Sequence, residues 1–370
     1  METKTKEIDL INFLYVGVDV HKDQHTAVAT NCFGQSLLEK EINNSEEEFA
    51  GLVGEIKVLA EARKLKPVFG LEDTSAYGQR LATYLYRNFP VKVVSPVLVV
   101  RERKKLTHPE KSDAQDALGV AKALISEIGT LPNFSISKTS EIAKGLKDLV
   151  VDREFLVKEQ TRIKNQLHRL LHASYNSAYR EKFKNPFAVR ALEYWSKHPV
   201  PTDLSNSILL KSQIKRKVRR LKNIKKEVIE IEEEMKILLD QMNQKLETLN
   251  GCGTVSACAV LAEIKDIDRF DSPNALAQYG GFCPRNKSSG KRIRHIKTKS
   301  GNRKLNMAVH RIVLSQLGIH GNKYSKEYFQ KKITEGKNKS QAICCLKRKI
   351  LNIIFMMLKH KTAYDYAAKC

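Results

Sequence analysis

The chain is short of acid. Its 370 residues hold 41 Asp and Glu against 65 Lys and Arg, a net charge of +24. An excess of that size predicts a polyanionic partner, either nucleic acid or an anionic membrane. Long apolar runs are also lacking. No stretch reaches the roughly 18 residues that cross a bilayer, which leaves nucleic acid and argues against a membrane. The opening Met1-Glu-Thr-Lys-Thr-Lys-Glu-Ile-Asp lacks the apolar core of a signal peptide, so the expected location is the cytoplasm, on the nucleoid. Cys32, Cys252, Cys258, Cys283, Cys344, Cys345 and Cys370 include no C-x-x-C pair. That excludes the usual zinc and disulfide frameworks and predicts reduced, mostly buried thiols. No glycine-rich phosphate loop follows the first apolar run, where Val20-His-Lys-Asp-Gln-His stands instead. An actin-like or sugar-kinase-like ATPase needs such a loop.

What is present starts with a β-rich run, Leu14 to Val20, that carries a single acid, Asp19. A charge inside an apolar strand is expensive unless it is paired, and Lys22 or His21 could pair it. Two more strands follow closely, Thr26 to Cys32 and Leu37 to Ile42, which predicts an antiparallel meander. Ser45 with three glutamates opens a helix. A fourth strand, 67–72, ends at Glu72. A helix over about 76–88, with Tyr77, Leu81, Tyr84 and Leu85 on one face, leads to a fifth strand at 91–95. After the basic stretch Arg101 to Lys105, Ser112 is placed to cap a helix that begins with Asp113 and Asp116. Their spacing puts both carboxylates on one face, opposite Leu118, Ala121, Leu124 and Ile125. Two adjacent carboxylates repel unless a cation neutralises them. The alternative is a solvated first turn that suits the helix dipole. The order β-β-β-α-β-α-β-α is that of an RNase H-like α/β sheet. In such a sheet Asp19, Glu72, Asp113 and Asp116 could converge to hold two Mg²⁺ ions for phosphoryl transfer.

The chain then turns helical. Near-heptad apolar spacing runs through Ile142 to Leu170. Residues 173–206 read as a loop-rich insert that holds the only Trp, Trp195. A heptad seam returns from 207 to 249 through Ile224, Val228, Ile231, Met235, Leu238 and Met242, as in a coiled coil. Its first half is basic and its second acidic, which favours an antiparallel partner. That partner is either the 141–172 helix or another subunit. Gly251 and Gly253 sit in a helix-hairpin-helix-like pattern whose N–H groups could meet a phosphate. A plain packing corner would use the same glycines. From Arg285 to Lys304 stand nine Lys or Arg and no acid. Lys291, Arg292, Arg294, Lys297, Lys299, Arg303 and Lys304 are the candidate nucleic-acid contacts. Ser300 lies among them, beside Gly301. Those cations could hold a scissile phosphate. A helix N-cap is the ordinary alternative for this serine. The chain ends in a helical stripe of Ile343, Leu346, Ile350, Ile353, Ile354 and Met357.

Taken together, the motifs Gly17-Val-Asp19-Val-His-Lys, Gly70-Leu-Glu72-Asp, Lys111-Ser-Asp113-Ala-Gln-Asp116, Leu249-Asn-Gly251-Cys-Gly253, Tyr279-Gly-Gly-Phe-Cys-Pro-Arg285 and Lys299-Ser300-Gly301-Asn302 carry a family resemblance. The chain resembles the DEDD-type insertion-sequence transposases, the insertion-sequence-one-ten family. The resemblance implies a RuvC-type, RNase H-like domain over 10–132, a helical coiled-coil region over 138–248, and a mainly helical carboxy-terminal domain over 249–370. It implies that Asp19, Glu72, Asp113 and Asp116 bind metal and that Ser300 is the nucleophile of a phosphoserine–DNA intermediate. It implies DNA and a structured guide RNA as partners, and a homo-oligomer held by the coiled coil with a site composed across subunits. The main alternative is a RuvC-like junction-resolving nuclease that uses the acids and water alone. A non-catalytic RNA-binding relative would need no acids.

Overall fold

The computed structural model describes residues 10–72, 74, 76–105, 112–198, 200, 207–283, 285–289, 292–296 and 301–365, with backbone alone for 285–289 and 292–296. The chain starts with an α/β domain. Strand β1 (Phe13–Val20) pairs antiparallel with β2 (Gln24–Thr30), which pairs antiparallel with β3 (Ser36–Asn43). Helix α1 (Glu46–Arg63) leads to β4 (Lys66–Leu71), and α2 (Gln79–Tyr86) to β5 (Val91–Val93). The sheet order β3-β2-β1-β4-β5, with β1, β4 and β5 parallel, is the order expected of an RNase H-like sheet. Helix α3 (Pro96–Arg103) occupies what the sequence showed only as a basic stretch, and α4 (Asp113–Glu127) follows.

Side chains of a strand alternate between faces, and β1 is buried on both. Leu14, Val16 and Val18 pack with α1 and α2 through Phe49, Leu52 and Leu81. Tyr15 packs on the other face with Val99, Val120 and Leu124 of α3 and α4. Gly17 shares Tyr15's face and lets α4 close onto the strand. A Cβ there would sit 2.2 Å from the Ala117 carbonyl oxygen and 2.3 Å from the Ala121 nitrogen. In α4 the buried stripe is Ala117, Val120, Ala121, Ala123 and Leu124, while Leu118 and Ile125 are only half-buried. Helix α2 begins later than expected, and Tyr77 lies 52% exposed ahead of it rather than on its buried face.

Helix α5 (Lys138–Tyr175) runs for 38 residues, roughly 57 Å at 1.5 Å per residue. It returns through α6 (Ala178–Lys182), α7 (Val189–Lys197) and the 35-residue α8 (Ser207–Gln241). The loop-rich reading of 173–206 is therefore corrected. Two short helices there bury Tyr179, Leu192 and Trp195 against Ile163, Leu167, Ile214 and Val218. The Trp195 indole donates to the Pro186 carbonyl at 3.0 Å. Sequence periodicity missed both helices because each is under three turns. The partner of α8 is α5 of the same chain, antiparallel, with Arg153 paired to Glu232 at 2.7 Å and Arg220 paired to Glu159. The seam stops at Gln241, short of 249; Leu246 and Leu249 belong to the carboxy-terminal core.

That core gathers α9 (Thr254–Ile264), α10 (Pro273–Tyr279), α11 (Arg303–Leu317), α12 (Lys323–Thr334) and α13 (Lys339–His360). Helix α9 is buried on every side from Ala257 to Ile264. Leu146 of α5 with Met235 and Leu239 of α8 join the same core, so the helical pair is rooted in it. In α13, Leu346, Ile350, Ile354 and Met357 are buried as expected, while Ile343 and Ile353 are only half-buried. Strands β6 (Arg285–Ser289) and β7 (Arg292–Ile296) form an antiparallel hairpin from the basic run. Among the described residues no helix is long and apolar enough to cross a membrane. The described cysteines are all free, with Cys252 and Cys258 buried and the other four half-buried.

Candidate active site

Asp19 lies on β1 two residues beyond Gly17 and therefore on the face that α4 covers. Ala117 and Ala121 press on Gly17, so the turn before them, which starts at Asp113, hangs over Asp19. The Ser112 hydroxyl fixes that turn by accepting from the Gln115 N–H at 3.2 Å. His21 Nε2 stands 3.1 Å from Asp19 Oδ2 and 3.4 Å from Asp113 Oδ1. These three side chains offer ligand atoms that all lie within 4.8 Å of one another, close enough for one metal ion. Asp116, one turn on, is paired with Arg103 at the end of α3. Burial pushes the Asp19 carboxyl above its ordinary 3.8; His21 opposes the rise, and Asp116 and Asp113 add to it. A carboxylate crowded by two others is what a bound cation relieves. The donor set, hard oxygens with one imidazole, suits a divalent metal.

Glu72 follows β4 directly. The β1–β4 register pairs Val18 with Leu71. Carried one residue further, it sets Glu72 next to Asp19 at the strand ends, where neighbouring strands run about 4.8 Å apart. Glu72 is not in the three-residue ligand group. It lines a cavity of about 470 Å³ with Ser95 and Arg101 on one side and Tyr279, Gly301 and Asn302 on the other. The cavity thus joins the α/β domain to the carboxy-terminal core within one chain.

The far wall is held by a buried polar network. Asn302 is the N-cap of α11, its side-chain oxygen accepting from the Leu305 N–H at 2.9 Å. Its amide nitrogen donates to Glu263 Oε2 at 2.5 Å and to the Tyr279 hydroxyl at 2.9 Å. Its backbone N–H donates to the Tyr279 carbonyl at 2.6 Å. Glu263 is 5% exposed, and Lys147 of α5 stands 3.7 Å from it. Burial raises the Tyr279 hydroxyl pKa, and Arg269 opposes the rise. Burial likewise lowers the Arg269 pKa, against the pull of Tyr279 and Asp266. Arg269 Nε donates to the Asn133 carbonyl at 3.0 Å, and Asn133 bridges to Lys92 of β5. Gly301 has φ +112°, and a Cβ there would lie 2.5 Å from the Gly281 nitrogen. Only glycine fits that approach.

Ser300, Lys291, Lys297 and Lys299 lie outside the described residues, and Arg292 and Arg294 are described by backbone only. The capping role that was the alternative for Ser300 belongs to Asn302 instead. Arg303 and Lys304 open α11 and are exposed. Gly251, φ +77°, serves as a packing corner: a Cβ there would meet the Ile312 carbonyl at 3.0 Å. Gly253 precedes α9 with open space around it. Sequence reading gave no site role to Arg103, Glu263, Tyr279 or Asn302, although Tyr279 and Asn302 stand in the quoted motifs, and it named His21 only as a partner for Asp19.

A family model described as "Transposase", of the DEDD type, matches residues 16–176, and one described as "Transposase IS116/IS110/IS902 family" matches residues 243–330. The chain is 25% identical to an IS110 insertion-element protein of Streptomyces coelicolor, over 95% of each chain. It is 23% identical to the transposase for IS1111A of Coxiella burnetii, over 95% of this chain and 92% of that one. It is 25% identical to the pilin gene-inverting protein of Moraxella lacunata, over 80% of this chain and 81% of that one. Both family models fall on the two walls of the cavity, in the order that the relatives share over nearly their full length: the chain belongs to the IS110 family of transposases and acts as a transposase or site-specific recombinase.

Proposed function

We propose that this transposase cuts and exchanges DNA strands through a covalent Ser300–DNA intermediate. The observation that carries the reading is the shared cavity, with Glu72 on one wall and the residues next to Ser300 on the other. A DEDD-type domain implies dependence on a divalent metal. We assign Mg²⁺, held by Asp19, Glu72, Asp113 and Asp116 of a RuvC-type domain. Bound there, the metal would polarise the scissile phosphate and neutralise charge that develops on its oxygens. The carboxylates orient that group. Arg103 holds Asp116 in place, and His21 bridges Asp19 and Asp113. The Asn302 cap and the Gly301 contact fix the segment that follows the serine. Attack forms an Oγ–P bond and breaks one P–O bond to deoxyribose, and the departing oxygen takes up a proton. Reversal by a second DNA hydroxyl reseals the strand, so bond energy is conserved without ATP. Lys291, Arg292, Arg294, Lys297, Lys299, Arg303, Lys304 and the Gly253 turn are assigned to phosphate contacts. The net charge of +24 supports a second polyanion, and we assign a structured RNA that reads sequence by base pairing. The α5–α8 pair, as a coiled coil, is the proposed element of a homo-oligomer.

The test uses end-labelled DNA carrying the element ends, with Mg²⁺ and the element's own transcript. Denaturing gels should show a protein–DNA adduct for the native chain and none for Ser300→Ala, which still binds DNA. An adduct in the serine variant would refute the serine assignment, and cleavage that persists without one would favour the water-using nuclease instead.

A further inference from the structure

The candidate site uses the root of the α5–α8 pair, and neither the chemistry nor the proposed oligomer contact accounts for the charge at its tip. Residues 156–226 hold 18 Lys or Arg against four Asp or Glu, a net +14 out of the whole chain's +24. The acids of α8 are confined to its other half, at Glu227, Glu230, Glu232, Glu233, Glu234 and Asp240. Charge of both signs would serve if solubility were the need. Here the sign is sorted along the lever.

One line of α5 shows what the tip can hold. Lys158, Arg162, Asn165 and Arg169 recur at four, seven and eleven residues, which is one helical stripe. With Thr161 and Gln166 they line a shallow surface cavity of about 470 Å³ in which no residue is acidic. The Thr161 hydroxyl donates back to the Val157 carbonyl, and the other five side chains carry N–H donors. The neighbouring Glu159 is taken by Arg220. Among the described residues Lys158, Arg162 and Arg169 make no ion pair, and all three are exposed. Cations with interleaved amide donors are the chemistry that grips phosphate backbone without reading bases.

Distance selects the occupant. Lys147, which reaches the Glu263 carboxylate beside the cavity, marks the site end of α5. Lys158 to Arg169 lie 11 to 22 residues further, roughly 16 to 33 Å along the helix axis. That corresponds to roughly 5 to 10 base pairs of B-form duplex at 3.4 Å per pair. Duplex DNA is stiff over this length, so an arm leaving the site can run straight along the lever. We infer that the α5 stripe Lys158–Arg162–Arg169 is a sequence-independent clamp for the duplex DNA arm that flanks the cut position. This rests on the proposed function only for where the arm begins, since clamping needs neither Ser300 nor the acids.

The test measures binding of the full chain to four-way DNA junctions with hairpin-capped arms of about 5 or about 20 base pairs, across a salt series. Three phosphate contacts steepen the fall of log K with log salt, changing the slope by about −2.7, and add about 100-fold in affinity near 0.15 M salt. The native chain should show both gains on the long arms only. The triple variant Lys158→Gln, Arg162→Gln, Arg169→Gln should bind both junctions with the shallow slope, and Arg162→Lys with Arg169→Lys should keep the steep one. Circular dichroism checks that the variants fold; if the triple variant does not, the arm-length series on the native chain still decides. Equal slopes for short and long arms would overturn the clamp. So would a triple variant that loses affinity only for a folded RNA of equal charge. A native chain that forms no covalent adduct but keeps the long-arm gains would refute the catalytic reading and leave the clamp standing.

Discussion

Asn302 ties the start of α11 to Glu263 and Tyr279, next to the proposed nucleophile, and its removal has a calculable effect. It caps α11 and donates to the buried carboxylate of Glu263. Replacing an N-cap Asn with Ala costs about 1 kcal/mol. Taking a donor from a buried charged acceptor costs about 2 kcal/mol more. Lys147 at 3.7 Å compensates only in part. Asn302→Ala should therefore loosen the first turn of α11 by about 3 kcal/mol. Amide hydrogen exchange there should speed up by roughly 10²-fold, at about 1.4 kcal/mol per decade. Exchange read by mass spectrometry localises the effect. Trp195 fluorescence, which reports the distant α7 core, should not change. Adding Glu263→Gln removes the stranded charge and should restore part of the protection. Because Ser300 lies two residues upstream, adduct formation should fall in step with protection. Unchanged exchange at Leu305 in the single variant, or a double variant as poor as the sum of both changes, would refute the reasoning.

Two further outcomes follow from packing and burial. Gly17→Ala forces a Cβ to within 2.2 Å of α4 backbone, so it should destabilise by about 1–3 kcal/mol or more and carry Asp113 away from Asp19. A thermal melt checks the first effect, and the loss of Mn²⁺-induced stabilisation checks the second. Burial pushes the Cys252 and Cys258 thiols up to about 12, so they stay protonated when folded and resist thiol reagents at pH 8 until the core unfolds. Their folded pKa is raised from 9.0, so the stability they contribute is full below that value and is lost as pH rises toward about 12. Rapid labelling of either thiol in the native chain would contradict this burial.

The α/β domain was legible because its signals are local. Alternation and turn spacing marked the strands, Ser45 and Ser112 announced their helices, and both caps are made. The charge sorting of α8 indicated an antiparallel partner, and the ion pairs with α5 match it. Other features had no local signal. The helices α6 and α7 are too short for periodicity to register. Asp116's counterion comes from Arg103, 13 residues away, and Glu263 meets Asn302 across 39. A carboxylate in an apolar helix says only that it needs a partner.

By itself the sequence determined which residue types this protein carries toward its proposed chemistry: acids at strand and helix ends, and cations in two dense stretches. Those follow from short-range rules of propensity, capping and charge. Only the tertiary structure decided which of them meet. Gly17 brings α4 down onto β1 and so sets Asp113 over Asp19, and the Glu263–Asn302–Tyr279 network turns the segment after Ser300 toward the cavity that holds Glu72. Such meetings depend on packing between elements far apart in the chain, and no local pattern encodes packing of that range.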